Sequence, residues 1–480
     1  MKIRLLIRAL LVSILLGIIF YNGFYGERIT VGDGAGWDGG LYAKLCENFN
    51  TDFKGKNIDR YLFQRTLPFA VIHNVIEVFH LPKNIQTYNF LMSVINLLFV
   101  LVSAFVFFLI SNFHKFNVKI EVIAFSSLFL NYPILKLMGY YPLLTDYLAF
   151  SFGLFSYYFY IKTQDTRHKN ILILLSVFYV FIHPTALLQG LTLALLQRDS
   201  LLKTEKTDKN KVKRGLELFV FTVPLFIYFA IGFSHIFLHK FGVNLRRDVT
   251  NVELIFVSFI CTLVYIYFFS KETLYKLEFA DFLNKKGITN ILKILIIYAG
   301  VSFLIFFFAN THSRHSMDRL LFEIATESLQ APFSNIVNMF AYYGLVIILL
   351  LIYWRKVAEI ILNNGMGYLL VICMAFIFSI GNESRYLINF LPFLFMPVFI
   401  LLNQEKKWSY SSSFVYLLLS LLLSRFWFAI NKNGSFDWDN YMLSQGPWQP
   451  FVFYLMFLAL FAGFYALFFI YTRKTKKNEN

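Results

Sequence analysis

Residues 2–24, KIRLLIRALLVSILLGIIFYNGF, decide how the rest of the chain is read. Nothing charged follows Arg8 before Phe24, and a helix needs about 20 apolar residues to cross a bilayer. Runs of similar character recur along the 480 residues, which are 58% hydrophobic and only 15% charged; soluble domains average roughly 25% charged. That excludes a water-soluble globule, a disordered chain, a coiled coil, a collagen-like rod and a small disulfide scaffold. Outer-membrane barrel strands alternate over about ten residues, and no such pattern is present. The expected class is an all-α polytopic membrane protein.

The basic residues set the expected topology. The opening run resembles a signal peptide but lacks a small-x-small cleavage site, so it reads as an uncleaved signal-anchor helix over 5–24 with its N-terminus in the cytoplasm. Lysines and arginines then cluster in short loops: Lys115 and Lys119, Lys162 to Lys169, the run 198–214 (RDSLLKTEKTDKNKVKR), Arg355 and Lys356, Lys406 and Lys407, and the basic tail 472–480. The net charge of +16 therefore reflects the positive-inside rule rather than a nucleic-acid partner, and alternation gives about 13–14 spans with both termini inside. The plan is a single integral membrane domain: an outer loop at 25–65, central helices over 66–309, an outer loop at 310–334 and C-terminal helices over 335–471. Residues 66–80 are apolar but short and contain His73, Asn74 and Glu77, which predicts a partial or re-entrant helix. The matching expectation for 170–197 is two short helices rather than one long one bent at Pro184. Cys261 and Cys373 read as small core residues and Cys46 as a loop residue without an obvious partner.

The first outer loop carries the clearest chemistry: Gly32-Asp33-Gly34-Ala35-Gly36-Trp37-Asp38-Gly39-Gly40-Leu41-Tyr42. Glycine permits positive φ and close backbone approach, so a tight exposed loop is expected, followed by an amphipathic surface helix over 41–50. A partly desolvated carboxylate can act as a general base, and Arg60 and Arg65 further on can hold a phosphate. The alternative is a turn whose aspartates cap the next helix.

An acidic motif in the first outer loop, a surface helix after it, and Arg65 leading into Leu67-Pro68 resemble the GT-C glycosyltransferases. The segment 37–42 (WDGGLY) is similar to the W/Y-DG-x-x-Y stretch of mannosyltransferase-like members and bacterial relatives. Glu383-Ser384-Arg385-Tyr386-Leu387, followed by Pro392, resembles an E-x-R-Y-L…P element at a helix start. The resemblance covers the architecture of the whole chain and specific residues in these two places. It implies a polyprenyl-phosphate sugar donor, a glycan, lipid or protein acceptor, direct displacement with inversion, and no cofactor. In that scheme Asp38 or Asp33 is the base, Arg385 and Arg65 hold phosphate, and Tyr42 and Glu383 belong to the substrate site. Many members carry a closely spaced acidic pair; here Asp33 and Asp38 are five apart, which leaves the base open between them and weakens the case for a metal.

Other expected outer-face residues are Asp146, which caps its helix or positions substrate hydroxyls, and His183, a turn residue or a cavity-lining donor. Arg246, Arg247 and Asp248 could meet lipid phosphate or form a salt-bridged loop. The stretch 312–319 matches no zinc spacing, and Asp437 and Asp439 flank an interfacial Trp438. The sequence thus predicts a glycosyltransferase of the plasma (inner) membrane acting on its extracytoplasmic face. The alternatives are a polysaccharide polymerase or ligase, and a lipid-linked sugar flippase or transporter.

Overall fold

The computed structural model describes residues 2–196, 201, 252–274, 285–310, 320, 324–325, 327–381, 383–405, 407–430 and 451–477. The basic run 198–214 (Leu201 apart), Arg246 to Asp248, the stretch 312–319 and Asp437 to Asp439 lie outside the described residues. Among the described residues there is no β-strand, and five helices are long and apolar enough to span a membrane: Lys2–Phe24, Ile85–Phe113, Gly287–Phe308, Ser384–Glu405 and Val452–Ile470. A sixth candidate is a pair, Val118–Phe129 and Pro133–Tyr140, bent by 52°. The chain is an all-α, multi-pass membrane protein.

Helix α1 (Lys2–Phe24) shows why these residues make such an element. Leu11, Leu15, Ile19, Asn22 and Gly23 are buried, at helical spacing on one face, while Ile3, Leu5, Leu6, Leu10 and Phe20 are exposed. An apolar outward face is what a lipid solvent selects. The two arginines that mark the N-terminus do more than set topology. Arg8 reaches both carboxylate oxygens of Glu121 at 2.7 Å, and Arg4 and Ser111 contact the same carboxylate, which is fully buried. This ion pair ties the start of α1 to the opening of a later helix.

Helix α2 (Gly39–Lys54) is longer than the expected surface helix and docks on protein. It buries Tyr42, Leu45 and Cys46, with Tyr42 stacked on Phe69 at 4.6 Å and the Cys46 carbonyl 2.9 Å from His73 Nδ1. After the single turn α3 (Arg60–Phe63), both contacts are supplied by α4 (Thr66–Phe79). Its 14 residues span about 21 Å at 1.5 Å per residue, short of the hydrocarbon thickness. The long α5 (Ile85–Phe113) follows.

Helix α6 (Val118–Phe129) ends because Pro133 supplies no N–H and its ring collides with the preceding turn. Asn131 Nδ2 takes over the carbonyls of Ser127 and Leu128, at 3.1 and 2.9 Å, and a π-helical turn Pro133–Leu137 carries the chain to Tyr140 and Tyr141. Helices α7 (Asp146–Ile161), α8 (Thr166–Tyr179) and α9 (Thr185–Leu195) come next. The break between α8 and α9 falls at 180–184, with Pro184 in the position preceding α9. The described part of the 170–197 stretch, up to residue 196, is therefore two packed short helices and not one long bent one.

Further along come α10 (Val252–Glu272), α11 (Lys285–Phe308), α12 (Ser334–Tyr343), α13 (Leu345–Ile352), α14 (Trp354–Asn363) and α15 (Met366–Ile380). A 3₁₀ segment, Ser384–Phe390, then leads into α16 (Leu391–Glu405). This segment lies directly on α7. A Cβ added to Gly153 would stand 2.2 Å from the Asn389 carbonyl oxygen. Only glycine permits that approach, which brings the 383–390 stretch against the helix that Asp146 opens.

Candidate functional site

Asp38 immediately precedes α2 but does not cap it. Its carboxylate instead accepts a hydrogen bond from Tyr61, Oη to Oδ2, at 3.1 Å. The Tyr61 ring lies 3.9 Å from the Arg65 guanidinium carbon, and Arg65 Nη1 donates to the Tyr61 carbonyl at 3.1 Å. The backbone before Asp38 is shaped by Tyr141. Its hydroxyl accepts from the Gly39 N–H at 2.9 Å, and its ring occupies the place where a Cβ on Gly36 would sit, 2.4 Å away. Gly36 also has φ +77°, so two independent constraints demand glycine there.

Asp146, at the first turn of α7, is 8% exposed. Arg385 Nη1 lies 3.8 Å from its Oδ2, and His183 Nε2 lies 4.0 Å from its Oδ1. Arg385 Nε is also paired with the Glu383 carboxylate. The turn carrying His183 is pinned beside Arg65, because Leu67 N donates to the Phe181 carbonyl at 3.0 Å. Asp38 is close enough for its charge to act on Arg385, Arg65 and Asp146. Segments far apart in sequence thus converge on one cluster. Asp146, His183 and Glu383 are buried in it, whereas Asp38, Tyr61, Arg65 and Arg385 are half-buried and form its accessible side.

Burial raises the Glu383 carboxyl above the ordinary carboxylate range, with Arg385 pulling the other way. His183 is pushed down to about 3, first by burial and then by the charge of Arg65. Its ring is therefore neutral at physiological pH. A narrow apolar cleft abuts the Arg385 segment, lined by Phe269, Tyr343, Phe376, Leu387, Leu391 and Phe395. Tyr343 at its edge donates to the Ser384 carbonyl at 2.5 Å.

The candidates divide clearly. Asp38, Arg65, Asp146, His183, Glu383 and Arg385 come together. Asp33 does not: it is exposed on the 3₁₀ turn Val31–Gly34 at φ +54°, and that turn is held to α5 by Asn89 Nδ2 donating to the Gly34 carbonyl at 3.0 Å. Tyr42 lies behind the cluster, within reach of the Asp38 and Arg65 charges. Its ring is 1% exposed and belongs to the core, while its hydroxyl backs Tyr61. Tyr61 is the residue the sequence reading lacked; a tyrosine four positions before Arg65, near enough along the chain for its ring to meet the guanidinium, is the signal that could have found it. Among the described residues, no three His, Cys, Asp or Glu side chains gather to hold a metal ion. Searches of family profiles, of curated proteins and of solved structures return no match to this chain.

Proposed function

We propose that the chain is a GT-C-like glycosyltransferase of about 13–14 spans, acting at the outer face of the plasma membrane. It moves a sugar from a polyprenyl-phosphate donor to a hydroxyl on a glycan, lipid or protein acceptor. The observation that carries the reading is the meeting of Asp38 with Arg385 and Arg65 in one half-buried cluster, although Asp38 and Arg385 are separated by most of the chain. The side is argued from α1. Its basic residues, Arg4 and Arg8, stand at one end of the helix and the loop bearing Asp38 follows the other. Lysine and arginine beside a span favour the cytoplasm, so the cluster opens away from it.

In this mechanism the Asp38 carboxylate takes the proton of the acceptor hydroxyl while its oxygen bonds to the anomeric carbon. The bond from that carbon to the donor's phosphate oxygen breaks with inversion, and the polyprenyl phosphate leaves with the electron pair. Arg385 and Arg65 face the charge that develops on the phosphate. A guanidinium has five N–H donors, more than the Glu383 and Asp146 contacts of Arg385 employ. Asp38 suits the base role because its observed partner is a neutral tyrosine rather than an arginine. The apolar cleft beside Leu387 and Leu391 suits the first isoprene units of the donor.

Purified protein supplied with polyprenyl-phosphate sugars tests this. Removing a general base costs about 10²–10⁴ in rate, so Asp38→Asn should lose at least a hundredfold while Asp33→Asn transfers sugar normally. Normal transfer by Asp38→Asn would refute the base assignment.

A further inference from the structure

A buried polar chain leads away from the cluster, and none of the chemistry above uses it. His183 Nδ1 lies 2.8 Å from Thr185 Oγ1, and Asn389 Nδ2 donates to that same hydroxyl oxygen at 2.9 Å. Asn389 Nδ2 also donates to Gln189 Oε1 at 2.7 Å. Gln189 Nε2 in turn lies 3.3 Å from Ser156 Oγ and 3.4 Å from the Asn389 carbonyl. Gln189, Ser156 and Asn389 are each no more than 1% exposed. Their frame is tight: a Cβ on Gly153 would meet the Asn389 carbonyl, and one on Gly190 would stand 1.6 Å from Ser176 Oγ. The backbone that carries Asn389 therefore has a fixed position against α7.

With the Asn389 amide oriented as it is, its Oδ1 without a hydrogen-bond partner among the described residues, the proton bookkeeping runs one way. Asn389 donates to Thr185, so the single hydroxyl hydrogen of Thr185 is free to go to His183 Nδ1, which must then be the unprotonated nitrogen. Nε2 carries the ring proton and faces the Asp146 carboxylate, an acceptor, at 4.0 Å. The opposite tautomer would leave the Thr185 hydrogen without an observed acceptor and set a lone pair against a carboxylate. Reading the tautomer from both neighbours in this way is the ordinary route to a histidine's protonation pattern.

We propose that Thr185 and Asn389 are positioning residues that hold His183 as the neutral Nε2–H tautomer, so that it presents a fixed hydrogen-bond donor into the Asp146–Arg385 cluster. A neutral donor there can bind a ligand oxygen without adding a third cation beside Arg65 and Arg385. The part concerning a ligand rests on the anionic-donor reading above; the tautomer stands on geometry alone.

Magic-angle-spinning ¹⁵N NMR of the full chain in liposomes, labelled at histidine, tests this, with His183→Gln to assign the signal. The expected spectrum has a protonated Nε2 and an unprotonated Nδ1 for His183, unchanged from pH 8 to pH 5. Thr185→Val should lose that single tautomer signal, split between two forms or moved to the other, and Thr185→Ser should restore it. A wild-type ring protonated at Nδ1 overturns the proposal without any variant, as does a Thr185→Val spectrum identical to wild type. Added farnesyl phosphate should shift the Nε2 resonance. An unmoved resonance on a correctly assigned tautomer would support the positioning role and count against the anionic ligand.

Discussion

Tyr61 is the residue on which the proposed base depends, because its hydroxyl is the observed donor to Asp38 while its ring carries the Arg65 guanidinium. A hydrogen bond to a charged group contributes about 1.5–3 kcal/mol. Tyr61→Phe should keep the ring under Arg65, remove that bond, and lower sugar transfer about 10–100-fold, measured on purified protein; transfer at the wild-type rate would detach Tyr61 from the chemistry. His183 gives a second expectation at this scale. Its native pKa of about 3 lies below the 6.5 of a free histidine, so the unfolded chain binds more protons between those values and stability falls as pH drops through that window. Thermal midpoints from pH 7 to pH 4.5 should decline, and His183→Gln should flatten part of the decline. Both residues mark a limit of sequence reading. WDGGLY identifies Asp38 but says nothing of Tyr61, whose partner is chosen by the fold of the loop. Asp33 and Asp38 are indistinguishable by spacing; the fold parts them, with Asn89 holding the turn that leaves Asp33 outside and Tyr61 and Tyr141 holding Asp38 and its backbone inward.

At the scale of elements, the breaks matter more than the spans. Pro133 ends α6 and delivers Tyr141 under the glycine loop; Pro184 parts α8 from α9 and leaves His183 in the gap. Prolines are visible in a sequence, and so were the apolar runs and the shortness of 66–80. What could not be read is which helices touch. The approach of the 384–390 segment to α7 rests on Gly153, an unremarkable glycine within an aromatic run. Gly153→Ala would force its methyl carbon against the Asn389 carbonyl, and overpacking of this kind costs about 1–3 kcal/mol. The expected outcome is a lower melting temperature together with reduced transfer, since Arg385 shifts with its segment. A variant as stable and active as wild type would show that the segment is not held there.

Over the whole molecule, two charged assemblies sit toward opposite ends of α1. Near its start, Arg4 and Arg8 close on the buried Glu121; beyond its end, Asp38 lies within reach of the Arg385 charge. The arginines of both are half-buried; the first buries its carboxylate completely, while the second leaves the Asp38 carboxylate half-accessible. Composition alone made the membrane class legible, whereas the union of residues 38, 65, 146, 183 and 385 needed the tertiary fold. The most direct test places cysteines at 38 and 385 in a background with Cys46, Cys261 and Cys373 replaced. A membrane-impermeant maleimide is then applied to intact cells, followed by a short bis-maleimide. The account predicts that both positions are labelled from outside and that the bis-maleimide joins them within one chain. Labelling of the two from opposite sides, or labelling of both without a cross-link, would contradict it.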